Sequence, residues 1–277
     1  MDVRQLPDSE SYQRKTTEEL RRAFVLDRLF VPGSVSVVYC DEDRAIVGGA
    51  VPGRTPLQLL ATKKEMAAEF FAERREIGIV NIGDGGEVRA DGQTYTLGFK
   101  DMLYLCRGTR VIEFSTLRAD QPAAFYFVSY PAHTVYPSTL ARSETAEKSS
   151  LGSPEAANKR TINRYIHAGG VKSCQLVMGL TDLDTGSVWN TMPPHTHVRR
   201  SEIYLYFGLD AESVVVHMMG KPRETRNLIL RNQEAVVSPA WSIHCGAATK
   251  RYSFVWAMGG ENQEFSDMDA VGMQDLY

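Results

Sequence analysis

The chain has 277 residues, with 31 Lys+Arg against 34 Asp+Glu and a formal net charge of −3. Hydrophobic residues at 43% and charged residues at 23% are ordinary for a globular protein, and 22 Gly with 12 Pro are too few for a collagenous or low-complexity chain. A near-neutral balance without a basic block excludes a nucleic-acid backbone binder. The length predicts about two domains, or one large one, with a core that needs neither disulfide nor structural metal.

The opening Met1-Asp2-Val3-Arg4-Gln5 lacks the apolar stretch of a signal peptide, and no run of about 18 apolar residues occurs, so no membrane partner is expected. Cys40, Cys106, Cys174 and Cys245 are widely spaced and form no C-x-x-C pair. They read as isolated thiols of a cytoplasmic protein, three of them buried in strands.

The first predicted element is a helix, with Thr16 and Glu19 as a capping box and Leu20, Ala23 and Phe24 at helical spacing. Beyond Phe30 short β runs follow, broken by Gly, Pro and Asp, with one short helix near residues 63–71. Residues 137–158 are rich in Ser, Thr, Glu, Ala and Pro without a period, which predicts a linker or wrapping arm. A second β series then runs to residue 257. Without strand–helix alternation, the chain is predicted to be mainly β in two halves with a few short helices. The predicted division is residues 1–137 as a first β domain, 138–158 as the arm, and 159–277 as a second domain. Arg75-Glu76-Ile77 resembles Ser201-Glu202-Ile203, each leading into an apolar strand, which suggests a duplicated barrel.

The sharpest chemical signal is Pro193-Pro194-His195-Thr196-His197-Val198-Arg199-Arg200-Ser201-Glu202. Histidines at i and i+2 of an extended segment project to one side, and Glu202 can return to that side around a short bulge or turn. His244 follows in Pro239-Ala240-Trp241-Ser242-Ile243-His244. Three neutral imidazoles and a carboxylate make a divalent-metal site with room for water or substrate. This pattern resembles the cupin family: His195, His197, Glu202 and Gly208 match its first motif, and Pro239 and His244 its second, with Trp241 where Gly is usual. The resemblance implies a duplicated cupin-type barrel, or bicupin. Counting back from Glu76 as Glu202 counts back to its histidines lands on Glu69 and Phe71, and the His244 position falls on Val111, so the first half is expected to lack a metal.

Over nearly its whole length the chain is also similar to the family of bacterial 5-keto-4-deoxyuronate isomerases. The strings that carry this include Phe71-Ala72-Glu73-Arg74-Arg75-Glu76, Pro131-Ala132-His133-Thr134, Lys159-Arg160-Thr161-Ile162-Asn163, Trp189-Asn190-Thr191-Met192-Pro193 and Gly260-Glu261-Asn262-Gln263. The resemblance implies a zinc-containing homohexameric enzyme of pectin degradation that converts 5-dehydro-4-deoxy-D-glucuronate to 3-deoxy-D-glycero-2,5-hexodiulosonate. One Zn²⁺ per chain would stabilise an enediolate as a Lewis acid. Arg160 or Arg164 is a candidate clamp for the substrate carboxylate. Met192 and Trp241 are candidate cavity walls, and His133 and Tyr136 candidates for proton transfer, the catalytic base being otherwise unidentified. Of Arg199 and Arg200 at most one should face the pocket, and His217 reads as a core residue. Two other classes fit the same ligands: an Fe(II)-dependent cupin dioxygenase and a non-catalytic sugar-binding cupin.

Overall fold

The computed structural model describes every residue except Phe265. The chain divides into two compact units that interleave along the sequence. The first comprises Met1–Val3, Arg28–Glu147 and Tyr165–Val177; the second comprises Arg4–Asp27, Lys148–Arg164 and Met178–Tyr277. Among the described residues, no helix is long and apolar enough to cross a membrane.

Each unit faces a large sheet with a smaller one, and the two units share one strand order apart from the last edge strand, which follows the others in the first unit and precedes them in the second. In the first, seven strands run in the order Asp2–Arg4, Val35–Cys40, Ile46–Ala50, Phe125–Pro131, Arg75–Asn81, Met102–Leu105, Thr139–Ala141. Opposite them stand Leu57–Gln58, Ile112–Thr116, Gly86–Ala90 and Gln93–Leu97. In the second, the order is Glu147–Leu151, Arg160–Ile166, Val177–Leu183, Ser253–Gly260, Arg200–Phe207, Glu234–Ser238, Val25–Leu26. Its small sheet is Trp189–Asn190, Ile243–Ala248, Val215–Lys221, Glu224–Leu230.

Two stretches differ from the sequence expectation. The arm of residues 138–158 carries the strands Thr139–Ala141 and Glu147–Leu151, which add to the edges of the two large sheets; their polar, half-exposed residues gave no alternating pattern. The N-terminal helix Thr17–Phe24 has its capping box, but it belongs to the second unit. There Phe24 meets the Trp241 ring edge-on at 6.4 Å, and the Tyr12 hydroxyl donates to the Glu224 carbonyl at 2.7 Å.

The pleat decides what each barrel holds. In the first, Ile77, Ile79, Leu103, Leu105, Phe125 and Phe127 point inward and pack with Ile112 and Phe114 of the opposing sheet. Glu76 lies on the other face of the same strand. It is therefore not the counterpart of the inward-pointing Glu202, because a shift of one residue exchanges the two faces of a strand. All four cysteines are free, with Cys40 and Cys245 buried and Cys106 and Cys174 half-buried.

Candidate metal centre

His195 begins the two-residue strand His195–Thr196, which pairs with Asp269–Ala270. The chain bends at Val198 and Arg199 and re-enters the large sheet at Arg200, bringing Glu202 to the inner face. Gly260 makes the close approach possible: a Cβ there would stand 2.3 Å from the Arg199 carbonyl oxygen. His244 comes from the opposing sheet, on Ile243–Ala248. The preceding turn closes with the Ser242 N–H donating to the Pro239 carbonyl, and Trp241 needs no left-handed conformation within it.

These four side chains meet in the interior, all buried, with one donor atom from each within 4.8 Å of all the others. Nε2 of His195 and of His244 are 3.1 Å apart; Glu202 Oε2 is 3.1 Å from His197 Nε2 and 2.7 Å from His244 Nε2. Bonds of about 2.0–2.1 Å to one cation would set neighbouring donors about 3 Å apart. The donor set therefore fits a single divalent ion.

The surroundings orient the ligands. The Asp267 carbonyl can only accept, so the His197 Nδ1 facing it must carry hydrogen, which leaves the Nε2 lone pair pointing inward. Thr191 Oγ1 stands 3.3 Å from His195 Nδ1. Burial pushes the His195 pKa down to about 3, helped by the charge of His244, so this imidazole is neutral and free to ligate. Burial alone would raise the Glu202 pKa, but His244 and His197 outweigh it and hold the carboxyl well below the usual range. Burial likewise opposes charge on His197, and the hydrogen bond it donates to Glu202 reverses the sign and raises its pKa. Without a cation the buried carboxylate thus favours the charged form of its neighbour.

Arg200 and Arg199 separate as strand geometry requires. Arg200 is buried, its Nη2 donating to the Asp267 carbonyl at 3.3 Å, while Arg199 is exposed. Sequence reasoning missed the roles of Arg200, Asp267 and Tyr204. Tyr204 lies two residues beyond Glu202 on the same inner face, its ring centroid 5.4 Å from that of His244, and the alternation of the strand could have found it.

The remaining candidates are placed unequally. Arg160 donates from Nη1 to the Asn158 carbonyl at 2.9 Å, and its Nε is buried without a partner. Burial lowers its pKa, partly offset by the Tyr204 and Tyr252 phenols. Arg164 instead donates to Ser149 Oγ at 2.9 Å. Met192 is half-buried in the bend before His195, and Trp241 packs against Tyr12 with ring centroids 4.7 Å apart and planes tilted by 32°. His133 is exposed and Tyr136 half-buried, both in the first unit, whereas the cluster lies in the second.

His217 stands outside the cluster, buried and hydrogen-bonded through Nδ1 to the Tyr206 hydroxyl at 2.8 Å. Burial, with the charge of His244, pushes its pKa down to about 3, and the Tyr204 ring packs on its other side. Below about pH 6.5 the unfolded imidazole binds a proton that the folded one refuses, so stability falls with acidification until about pH 3. The slope from this group is about 1.4 kcal/mol per pH unit. His217→Leu is expected to flatten the fall of the urea midpoint between pH 6 and 4 relative to the parent; an unchanged slope would contradict this.

Two barrels that share this strand order, with a single histidine–carboxylate cluster among the described residues, define a bicupin. Solved structures agree: the chain is similar to an IolB-like protein from Salmonella typhimurium (TM-score 0.69, 11% identity, 90% of this chain and 96% of that one). It is also similar to a Bacillus subtilis oxalate decarboxylase with Mn(II) centres (TM-score 0.57, 10% identity, 83% and 72%). The KduI/IolB family model matches residues 33–273, and the chain belongs to that family. Curated relatives named 4-deoxy-L-threo-5-hexosulose-uronate ketol-isomerase include those of Opitutus terrae, 51% identical, and Caldicellulosiruptor bescii, 49% identical. Another, from Salmonella typhimurium, is 45% identical, and all three matches cover 100% of both chains. The chain is accordingly an enzyme, an isomerase of the ketol-isomerase kind.

Proposed function

We propose that this enzyme converts 5-dehydro-4-deoxy-D-glucuronate to 3-deoxy-D-glycero-2,5-hexodiulosonate, a cytoplasmic step in the breakdown of pectin and related polyuronates. Full-length identity of 45–51% to relatives of that activity supports the substrate, and the buried cluster supports the chemistry. His195, His197, Glu202 and His244 hold one divalent ion, which we assign as zinc. Zinc supplies Lewis-acid polarisation of a carbonyl without redox chemistry.

The chain's own residues do the rest. The barrel interior excludes bulk water, so fixed charges act strongly on the substrate. The Asp267 carbonyl and Thr191 keep two imidazoles aimed inward. Glu202 is committed to the ion, so proton transfer falls to another group. The Tyr204 phenol, with its pKa raised well above 10 by burial and then by the Glu202 charge, keeps its proton and serves as a hydrogen-bond donor. Arg160 is favoured over Arg164 as the carboxylate clamp, because its Nε is buried without a partner, whereas Arg164 donates to Ser149.

Turnover of the 4-deoxy-5-keto uronate under anaerobic conditions, followed by NMR, tests the reading. The expected result is the 2,5-diketo acid without oxygen uptake, from a protein carrying one zinc per chain and scattering light as a hexamer. Oxygen consumption with a cleaved product would instead indicate a dioxygenase. Arg160→Lys is expected to lower kcat/KM at least about tenfold with zinc retained, since Lys cannot reproduce the planar fork. Arg164→Lys should leave both nearly unchanged; equal effects in the two variants would sink the assignment.

A further inference from the structure

Among the described residues no histidine–carboxylate cluster lies in the first barrel, yet its mouth is not closed. A cavity of about 430 Å³ opens there, within the first unit and sharing no residue with the metal cluster. Its walls are cationic: Arg44, Lys64, Arg74 and Arg75 line it against one carboxylate, Glu65. Glu65 is already engaged by the Met1 ammonium and by the Thr62 hydroxyl, each at 2.7 Å.

Arg75 is the key group. It starts the strand Arg75–Asn81 on the inward face, and it is only 8% exposed. All its hydrogen bonds go to neutral oxygens: Nε to Ser129 Oγ at 3.1 Å, and Nη2 to the carbonyls of Ser129 and Arg44 at 2.7 and 2.6 Å. Among the described residues no carboxylate pairs with it, and Nη1 is left over. Burial pulls its pKa down to about 10, so the guanidinium still carries its charge at neutral pH. A buried cation without a counter-ion is costly. The surrounding backbone is also committed: Asp43 and Arg44 both adopt left-handed conformations (φ 46° and 54°), and Arg44 turns its carbonyl onto Arg75. Among the described residues exposed Arg44 and Lys64 likewise form no ion pair, while Phe71 offers an apolar wall for a carbon skeleton.

We propose that the mouth of the first barrel is a binding site for a small organic oxyanion, a carboxylate or phosphate seated on Arg75 Nη1 and flanked by Arg44 and Lys64. The cavity is of the size that takes a monosaccharide-sized ligand. The site is independent of the isomerase reading and would stand without it.

Isothermal titration of the full chain with D-glucuronate, inorganic phosphate and D-glucose tests the site. Glucose has the sugar ring without the charge. The expected result is millimolar or tighter binding of glucuronate or phosphate and none of glucose. Binding of glucuronate alone makes the ligand a carboxylate; binding of phosphate alone makes it a phosphorylated compound. Arg75 also cross-links Ser129 and Arg44, so the decisive variant is the exposed pair Arg44→Gln/Lys64→Gln, whose loss spares those hydrogen bonds. It is expected to weaken anion binding at least about tenfold, or about 1.4 kcal/mol. The proposal is overturned if neither anion binds at about 10 mM. It is equally overturned if the double variant binds as the parent does, which would place the anion at another site.

Discussion

His244→Ala is expected to release the metal and abolish most turnover while leaving the barrel folded. His244 is the ligand contributed by the small sheet, and its Nε2 sits 3.1 Å from that of His195 and 2.7 Å from the Glu202 carboxylate. Deleting it opens one side of the donor set. The remaining two imidazoles and carboxylate lie on one continuous stretch of chain, residues 195–202, and would hold an ion from one side only. Loss of a group that merely orients a ligand costs about 10–100-fold in metal affinity, so loss of the ligand itself should exceed that, with kcat falling in proportion to bound metal. The proper reference for stability is metal-free parent protein. Against that reference, the variant should still melt cooperatively as a folded barrel, because no apolar core residue is changed. Metal analysis, activity and thermal melts of both proteins check this. A variant that keeps one equivalent of metal and its activity would show that His244 is not a ligand.

How much of this centre was legible in the sequence follows from the range of the interactions that build it. His195 and His197 are two residues apart on extended chain, and Glu202 returns after a bend of two residues, so local pattern sufficed. His244 was reachable only through the motif Pro239–His244, since the contact that makes it a ligand spans two sheets. Arg200 and Tyr204 could have been placed by alternation from Glu202, whereas Asp267 could not, because it acts through a backbone carbonyl that any residue type would supply. The two-halves architecture was legible from the spacing of strands. The interleaving was not: nothing local states that Tyr12 and Phe24 pack on Trp241, more than 200 residues away. The matching of Glu76 with Glu202 misled for a related reason, since similar strings carry residue type but not the face on which each residue falls.

Glu76 therefore has a different role, and Glu76→Ala is expected to be the most destabilising single change in the first unit. The side chain is fully buried on the outer face of its sheet, where a carboxylate is tolerated only if its lone pairs are met. They are met four times. Oε1 accepts from the backbone N–H groups of Gln175 and Leu176 at 2.8 and 2.9 Å; Oε2 accepts from the Cys174 N–H at 2.7 Å and the Tyr104 hydroxyl at 2.8 Å. One carboxylate thus ties down three consecutive peptide groups of the segment Tyr165–Val177, which returns to the first unit just before the chain enters the metal-bearing barrel. Alanine leaves three N–H donors and a phenol without acceptors, and uncompensated buried polar groups cost about 1–3 kcal/mol each, though not additively. A loss of about 3–5 kcal/mol is expected, read as a lowered urea midpoint. Glu76→Gln separates charge from shape: its oxygen can keep two of the N–H bonds, but its amide faces the Cys174 N–H donor to donor. Tyr104→Phe removes only one bond and should cost about 1 kcal/mol. The ordering Ala, then Gln, then Tyr104→Phe is the signature of an anchoring carboxylate. Hydrogen exchange should quicken at the amides of residues 174–176 in the two Glu76 variants. Parent-like protection at those amides in Glu76→Ala would mean that the segment is held by something other than this carboxylate.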